Sequence, residues 1–273
     1  MAEAPPPYAR SKTVTDAPSS AAAIAAHIPA RPLPITITSA SLDRDSSIFS
    51  SSFAGDGDAA EVNPYTKYKA VAETLVFRAN GPSLRTISIR VPGIYGEGHC
   101  AIIDQPITSM RKGQQNIQLG NNSKLFTFTY VGNAAHAHVL ASHALLAVDD
   151  KTQTPKVDGE AFFVSDGVSK PFWDTCREIL HEAGDRSPRQ KIKVLPLLPM
   201  IIIAGVGEWL YWTFTLGTKA PAMRKMDIEF LAQGQVFSID KAKARLHYEP
   251  LVTQQEGIRR AVKWALEHEE KVA

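Results

Sequence analysis

Cysteine, charge imbalance and secretion signals are scarce in this 273-residue chain, and each scarcity excludes a class of protein. The two cysteines, Cys100 and Cys176, stand far apart, so they form neither a disulfide framework nor a zinc site, and a reducing compartment is the default expectation. A formal net charge of only +2 gives no basic field that would argue for nucleic-acid binding. The N-terminus lacks the charged-then-apolar pattern of a secretory signal, which predicts a cytoplasmic protein.

The order of the remaining segments predicts an α/β fold. Residues 1–34 are rich in Ala, Pro and Ser and are expected to be a poorly ordered head, with a short helix through "SSAAAIAAH". The run "PITITSASL" predicts a strand, and a long polar loop follows it. A helix is then predicted over "YTKYKAVAETLVFRANG", with Ala70, Leu75 and Val76 on its apolar stripe, and a strand over "LRTISIRVPGIYG". Strand, helix and strand in this order predict a parallel sheet.

Further strands are predicted over "FTFTYV" and "EAFFVSD", and helices over "VGNAAHAHVLASHALLAV" and "KPFWDTCREILHEAG". The expected organisation is the head at 1–34, a sheet-forming part at 35–150 and a C-terminal part at 151–273. His136 and His138 lie two apart on a predicted helix, where side chains do not face each other, so no metal site is predicted there.

One long apolar segment, Val194–Gly217, carries Glu208 as its only charge. Its length is close to the ~20 apolar residues that a membrane span requires. Four residues argue against one straight helix: Pro196, Pro199, Gly205 and Gly207. The aromatic cluster at 209–212 suits a membrane interface. Three alternatives stay open: a full membrane span, contact with a membrane surface, or an apolar lid helix that packs on the domain.

The stretch "NPYTKYKAVAE" places Tyr65 and Lys69 four residues apart, on one face of the predicted helix. A phenol is a poor acid or base near neutrality, but a nearby ammonium favours the phenolate and lowers the pKa of the phenol. The pair is therefore suited to proton transfer at an alcohol or carbonyl oxygen. The spacing alone is weak, because Tyr8 and Lys12 repeat it in the Pro-rich head.

Six stretches in order give the pair its context: "TSAS", "NPYTKYKAVAE", "LRTISIRVPGIYGEG", "FTFTYVGNAAHAHVLA", "GEAFFVSDGVSKPFWD" and "FSIDKAKARLHYEP" with "EGIRRAVKWALEH". From about residue 35 to the end, the chain resembles the extended short-chain dehydrogenase/reductase superfamily. More narrowly, it is similar to the 3β-hydroxysteroid dehydrogenase and sterol-4α-carboxylate 3-dehydrogenase group. The resemblance implies a partial Rossmann-type parallel sheet with helices on its faces, formed by 35–150. It also implies a small C-terminal substrate-binding subdomain at 151–273 that includes the apolar segment 194–217. It also implies an NAD- or NADP-dependent oxidation of a CH–OH group on a sterol or another lipophilic alcohol.

The resemblance also implies roles for single residues. Tyr65 would be the general acid/base at the substrate oxygen, and Lys69 would lower its pKa and hold the nicotinamide ribose. Ser39 would hydrogen-bond the substrate oxygen, with Ser41 as the rival because the "TSAS" register is ambiguous by two residues. The backbone from Pro92 through Gly93 to Ile94 would lie along the nicotinamide, so these three residues join Tyr65 and Lys69 as predicted cofactor contacts.

The sequence departs from the group's pattern in three respects. No Gly-x-x-Gly-x-x-Gly motif frames a strand and a helix for the cofactor pyrophosphate, and the acidic residue expected after the second strand is missing too. The loop from Asp43 to Val62 is also rewritten. These departures predict a fragment of a longer protein or a degenerate relative.

The alternative function is a non-catalytic module that binds a lipid, a membrane or a full-length partner. A third interpretation keeps the superfamily but changes the substrate, as in a flavonoid-type reductase or a sugar epimerase. The endoplasmic reticulum membrane and a homodimer complete the expectations about location and partners.

Overall fold

The computed structural model describes residues 35–42, 64–98, 101–148, 156–215 and 225–269, with the backbone alone for 35–42, 64–67 and some single positions. The described strands are β1 (Ile35–Leu42), β2 (Arg85–Pro92), β3 (Ile94–Tyr95), β4 (Ile117–Leu119), β5 (Leu125–Thr127), β6 (Thr129–Tyr130), β7 (Glu160–Phe163), β8 (Ser169–Pro171) and β9 (Lys193–Leu195). The described α-helices are α1 (Pro64–Arg78), α2 (Ala101–Arg111), α3 (Val131–Leu146), α4 (Phe172–Glu182), α5 (Leu197–Thr215), α6 (Lys225–Gln233), α7 (Asp240–Leu246) and α8 (Gln254–Glu269). The predicted short helix near residue 20 and the polar loop from Asp43 to Val62 lie outside the described residues.

Strands β1, β2 and β7 form the main sheet in the order β1-β2-β7, and both pairings are parallel. β2 lies in the middle because its β-branched run "RTISIRVP" is buried along nearly its whole length, as a strand covered on both faces requires. Helix α1 connects β1 to β2, so the predicted strand–helix–strand unit is present. β7 comes from the second half of the sequence and extends the same sheet.

The helices on the two faces of the sheet contact β2 through different kinds of side chain. On one face, Ile87, Ile89 and Val91 of β2 pack in one core cluster with alanines of helix α3. The small side chains of Ala137 and Ala141, both fully buried, allow this helix to approach the sheet closely. Helix α1 contacts β1 and β2, and its contact with β2 is polar, as described below.

A second core cluster lies among short strands and helices α2, α4 and α8. It combines aliphatic residues of these helices with four buried aromatic residues, Tyr95, Phe126, Phe128 and Tyr130. Three two-stranded pairs hold its framework, β3 with β6, β4 with β9 and β5 with β8. The pair β4–β9 brings the start of helix α5 against this aromatic region.

Two predicted elements differ in detail from the structure. The strand predicted over "LRTISIRVPGIYG" is divided at Gly93, whose φ of +33° turns the chain so that β3 leaves β2 and pairs with β6. The stripe predicted on α1 is also shifted. Leu75 is 58% exposed, because the helix turns Lys69 and Glu73 toward the sheet instead.

Helix α5 is continuous over Leu197–Thr215, although its prolines and glycines argued against one straight helix. Pro196 precedes the helix, and Pro199 lies in its first turn, where the missing backbone N–H has no intrahelical acceptor to lose. In the part of the chain that the structure describes, no helix has both the length and the hydropathy needed to cross a bilayer.

Candidate functional site

Tyr65 and Lys69 both lie at the start of helix α1, which begins at Pro64. Proline at the first helical position is favourable because its fixed φ suits the helix and its missing N–H costs nothing there. The helix turns one stripe inward: Lys69 is half-buried and Glu73 is buried, whereas Tyr68 is 74% exposed. Tyr65 occupies the next position along this stripe, one turn before Lys69, and its side chain lies outside what the structure describes.

Ser39 and Ser41 both lie in the second half of strand β1. The register pairs Ser39 with Ile89 and Ser41 with Val91. The two serines are two residues apart and therefore occupy the same face of the strand, with Ser41 nearer its end. Their side chains are outside the described part of the chain. The backbone therefore does not separate the two candidates, and Ser39 stays the prediction.

Pro92, Gly93 and Ile94 follow directly at the end of β2. Two bonds hold their backbone against β6: the Thr129 N–H donates to the Gly93 carbonyl at 3.1 Å, and the Thr129 hydroxyl donates to the Pro92 carbonyl at 2.9 Å. A Cβ at Gly93 would lie 2.6 Å from the ring of Phe128, so only glycine fits this close approach. In an open parallel sheet, ligands bind outside the carboxyl ends of the strands. The ends of β1 and β2 and the start of α1 meet at that edge.

Glu73 is a residue of this region that the sequence argument missed. It is 4% exposed, and its carboxylate accepts hydrogen bonds from Arg90 Nε at 3.0 Å, from Arg90 Nη2 at 2.8 Å and from the Ser88 hydroxyl. The fork geometry is the strong form of an ion pair. A signal was present in the sequence: Glu73 is four residues beyond Lys69, and Ser88 and Arg90 alternate with apolar residues on β2. The pair joins the Tyr–Lys helix to the strand that leads into Pro92.

A second buried carboxylate, Asp166, joins strands β3 and β6 and helix α3. It accepts hydrogen bonds from the Tyr95 hydroxyl at 2.7 Å, the Tyr130 N–H at 2.8 Å and the Asn133 amide at 2.8 Å. Burial raises the pKa of the Asp166 carboxyl above its usual value, and these donors oppose that effect. Burial also raises the pKa of the Tyr95 phenol far above its usual value, with the nearby Asp166 adding to the effect. The Tyr95 hydroxyl thus donates a structural hydrogen bond that joins β3 to Asp166.

His136 and His138 have structural surroundings. His138 Nδ1 lies 2.7 Å from the Ala134 carbonyl, and the His136 ring faces Tyr248 with 6.3 Å between ring centroids. Within the described ranges, no group of three or more metal-ligating side chains comes together.

Helix α5 exposes a wide apolar face. Among its exposed residues, Leu198 is 75% exposed, Ile202 66% and Phe214 83%. Its one charged residue, Glu208, is turned toward the start of helix α6, where a carboxylate oxygen accepts the Lys225 N–H at 2.8 Å. The outer face of α5 is thus uncharged over several turns.

Comparison with known proteins assigns the chain to a family. The model of the 3-beta hydroxysteroid dehydrogenase/isomerase family matches residues 56–197, which is about half of the chain and includes helix α1 and strand β2. The chain belongs to this family. The predicted membership is confirmed.

Curated members of the family are similar over most of this chain. The sterol-4-alpha-carboxylate 3-dehydrogenase ERG26, decarboxylating, of Gibberella zeae is 41% identical over 75% of this chain and 66% of its own length. The enzyme of the same name from Schizosaccharomyces pombe is 34% identical over 74% of this chain and 57% of its own length. A 3 beta-hydroxysteroid dehydrogenase/Delta 5-->4-isomerase of Mycobacterium tuberculosis is 31% identical over 71% of this chain and 50% of its own length. The chain thus spans between half and two thirds of these relatives.

Solved structures confirm the predicted fold class. The epimerase Mth375 of Methanothermobacter thermautotrophicus has a TM-score of 0.58 at 17% identity, over 87% of this chain and 61% of that one. A dTDP-glucose 4,6-dehydratase of Bacillus anthracis, solved in complex with NAD, has a TM-score of 0.52 at 15% identity, over 86% of this chain and 62% of that one. At such identities the likeness concerns the fold alone, and the α/β arrangement around a parallel sheet is that fold.

Proposed function

We propose that this member of the family is an NAD(P)-dependent oxidoreductase that oxidises a 3β-hydroxyl group of a sterol or a similar lipophilic alcohol. The main support is the inward stripe of helix α1, in which Tyr65 is followed by the half-buried Lys69 and the buried Glu73. Family membership and the sterol-acting names of the relatives support the choice of substrate class.

In this proposal each residue handles one part of the proton chemistry. Tyr65 as phenolate takes the proton of the substrate hydroxyl, and the Lys69 ammonium stabilises that phenolate by its charge. Ser39, with Ser41 as the rival, hydrogen-bonds the same substrate oxygen and holds it toward Tyr65. The Glu73–Arg90 pair is a positioning element, because it fixes the rotation of the helix that carries both groups.

The residues present fit the nicotinamide end of a dinucleotide. Lys69 and Tyr65 offer an ammonium and a phenol for ribose hydroxyls, and the turn at Pro92–Ile94 supplies backbone groups at the strand end. A bound nicotinamide would supply the hydride acceptor for oxidation at the carbinol carbon. No glycine-rich strand-to-helix motif for the pyrophosphate occurs in the sequence, so the residues of this chain account for that end only.

The test is the oxidation of 5α-cholestan-3β-ol by the purified chain with NAD+ or NADP+, followed by cofactor absorbance, together with calorimetric titration of each cofactor. We expect Tyr65→Phe to lower kcat about 10²–10⁴-fold without changing thermal stability, because general acid–base catalysis contributes that much. Tyr8→Phe is the matched control, since Tyr8 and Lys12 have the same spacing. Unchanged turnover in Tyr65→Phe would refute the assignment, and a folded chain that binds neither cofactor would favour the non-catalytic alternative.

We further propose that helix α5 lies on a membrane surface, with the endoplasmic reticulum as the expected compartment. Its uncharged outer face is rich in aromatic and branched residues, and Lys191 and Lys193 precede it, a combination that suits an interface with anionic lipids. Flotation with phosphatidylserine-containing vesicles tests this. Ile202→Ser should release the protein from vesicles, whereas Leu251→Ser, at a residue 68% exposed elsewhere, should not. If Ile202→Ser instead converts a dimer into a monomer and leaves vesicle binding unchanged, α5 is a contact between two copies.

A further inference from the structure

A Ser-Pro pair lies in the loop that follows helix α4. Ser187 and Pro188 are the one Ser-Pro pair of the sequence, and Thr154 with Pro155 is its one Thr-Pro pair. Residues 185–188 have no regular structure, Pro188 is exposed, and the half-buried Ser187 lines a groove on the surface beside α4. Proline has no N–H to donate, so kinases that accept it directly after the modified serine form a distinct class. The pair is therefore a candidate substrate of such a proline-directed kinase.

Local hydrogen bonds hold this loop in place. Asp185 Oδ1 accepts the Ser187 hydroxyl at 2.6 Å and the Ser187 N–H at 3.0 Å, and Arg186 Nη1 donates to the His181 carbonyl at 2.7 Å. For residues 185–191, no hydrogen bond that the structure describes reaches a residue more than five positions away. Opening of the loop therefore breaks no distant hydrogen bond, and the segment is able to enter the groove of a kinase.

The same segment is basic and leads directly to helix α5. Residues 186–193 carry four basic residues and no acidic one. Three of the four are exposed, namely Arg186, Lys191 and Lys193, and the apolar helix begins shortly after them at Leu197. A cluster of Lys and Arg beside a membrane-facing element favours anionic lipids, and each such residue strengthens partitioning roughly fivefold. The basic segment thus contributes to the membrane contact of α5.

We propose that a proline-directed kinase phosphorylates Ser187 and that the phosphate weakens the binding of helix α5 to an anionic membrane. This regulation rests on the membrane contact proposed above. In the transfer, Ser187 Oγ forms a bond to the γ-phosphorus of ATP as the bond from that phosphorus to the ADP oxygen breaks. ADP leaves, and the hydroxyl proton passes to the general base of the kinase.

The phosphate acts through charge at short range. It carries about −1.5 to −2 at neutral pH. Arg186 and Arg189 follow within about 7 Å of Ser187 along the backbone, which is inside the Debye length of about 8 Å at physiological ionic strength. The phosphate therefore offsets about two of the basic charges and weakens partitioning about 10- to 30-fold. It also replaces the hydroxyl that donates to Asp185 and places a dianion beside that carboxylate, so the bond between the two side chains is lost.

The first test is phosphorylation of the full chain by a cyclin-dependent kinase with radiolabelled ATP, followed by peptide mapping. We expect label on the peptide that contains Ser187, and its loss in Ser187→Ala and in Pro188→Ala, since the kinase class requires the proline. Thr154→Ala is the matched control, because it removes the Thr-Pro pair and should leave the label on Ser187 unchanged. Wild type without label at Ser187, or Pro188→Ala labelled as fast as wild type, would overturn the proposal.

The second test is flotation of phosphorylated and unphosphorylated protein with vesicles that contain phosphatidylserine. We expect phosphorylation to lower the partition coefficient about 10- to 30-fold, and the difference to shrink in about 1 M salt, where the Debye length is about 3 Å. Ser187→Ala treated with the same kinase should float as unphosphorylated wild type does. Equal flotation of both forms overturns the regulation and leaves the membrane contact standing. Flotation of neither form refutes the membrane contact and the regulation together.

Discussion

Removing the carboxylate of Glu73 should destabilise the protein more than any surface charge change. Glu73 and Arg90 have side chains only 6% and 13% exposed, so solvent screens their interaction little. Glu73→Ala leaves the Arg90 guanidinium buried without this partner and removes the acceptor of the Ser88 hydroxyl. Breaking one side of a buried ion pair costs about 3–5 kcal/mol. At about 2–4 °C per kcal/mol for a domain of this size, the expected fall in Tm is roughly 6–20 °C.

Urea unfolding and calorimetry measure this cost. Glu267→Ala is the control, because Glu267 pairs with Lys263 at 3.8 Å on the surface of α8, where such a pair is worth about 0.3–0.5 kcal/mol. A double variant, Glu73→Met with Arg90→Met, should recover much of the loss, since two packed apolar side chains can replace a buried pair. The reasoning fails if the free energy of unfolding of Glu73→Ala lies within about 1 kcal/mol of the wild-type value. It also fails if the double variant loses more stability than Glu73→Met and Arg90→Met lose together.

Three further predictions concern pH and packing. Burial raises the pKa of Asp166 in the folded chain, so protonation of Asp166 contributes to the free energy of unfolding in acid. This contribution is lost as pH rises through the folded-state pKa. Urea midpoints measured from about pH 3 to about pH 7 should show the loss for wild type and not for Asp166→Asn. The contribution of Glu256 to stability has the opposite pH dependence, because hydrogen bonds from Arg259 and then Arg260 lower the pKa of Glu256 to about 2. Its contribution is present above its usual pKa of 4.5 and is lost as pH falls toward 2, so Glu256→Gln should remove an acid-sensitive component of the melting temperature. Gly257→Ala should lower the free energy of unfolding by about 1–3 kcal/mol, because its Cβ would lie 2.8 Å from the Tyr95 hydroxyl oxygen. Gly207→Ala has nothing near its Cβ and should stabilise helix α5 by about 0.5–1 kcal/mol. Equal effects of the two variants in thermal melts would contradict the packing.

Local pattern was sufficient to predict the parallel strand–helix–strand unit and the family, but not the tertiary contacts of the site. The β-branched run of β2 and the Tyr65–Lys69 spacing are local signals, and both led to correct helix and strand types. The positions of Glu73 and Arg90 on their helix and strand are local signals, but their pairing joins residues 17 apart and depends on the tertiary fold. The division at Gly93 brings it against Phe128, the residue between β5 and β6, which is distant in sequence. The roles of Tyr65, Lys69 and Ser39 stay predictions.

Glu208 shows why counting charges along a sequence misjudges an apolar helix. One carboxylate among 24 residues argues against lipid contact, because a charge in an apolar medium is costly. In the fold, that carboxylate accepts the backbone N–H of Lys225 at the first residue of helix α6, where N–H groups lack intrahelical acceptors and the helix dipole favours a negative charge. The charge is thereby compensated within the protein, on the side of α5 that faces α6. The outer face keeps its apolar character, and Glu208→Ala should leave vesicle binding intact while lowering stability by about 0.5–2 kcal/mol through the lost cap.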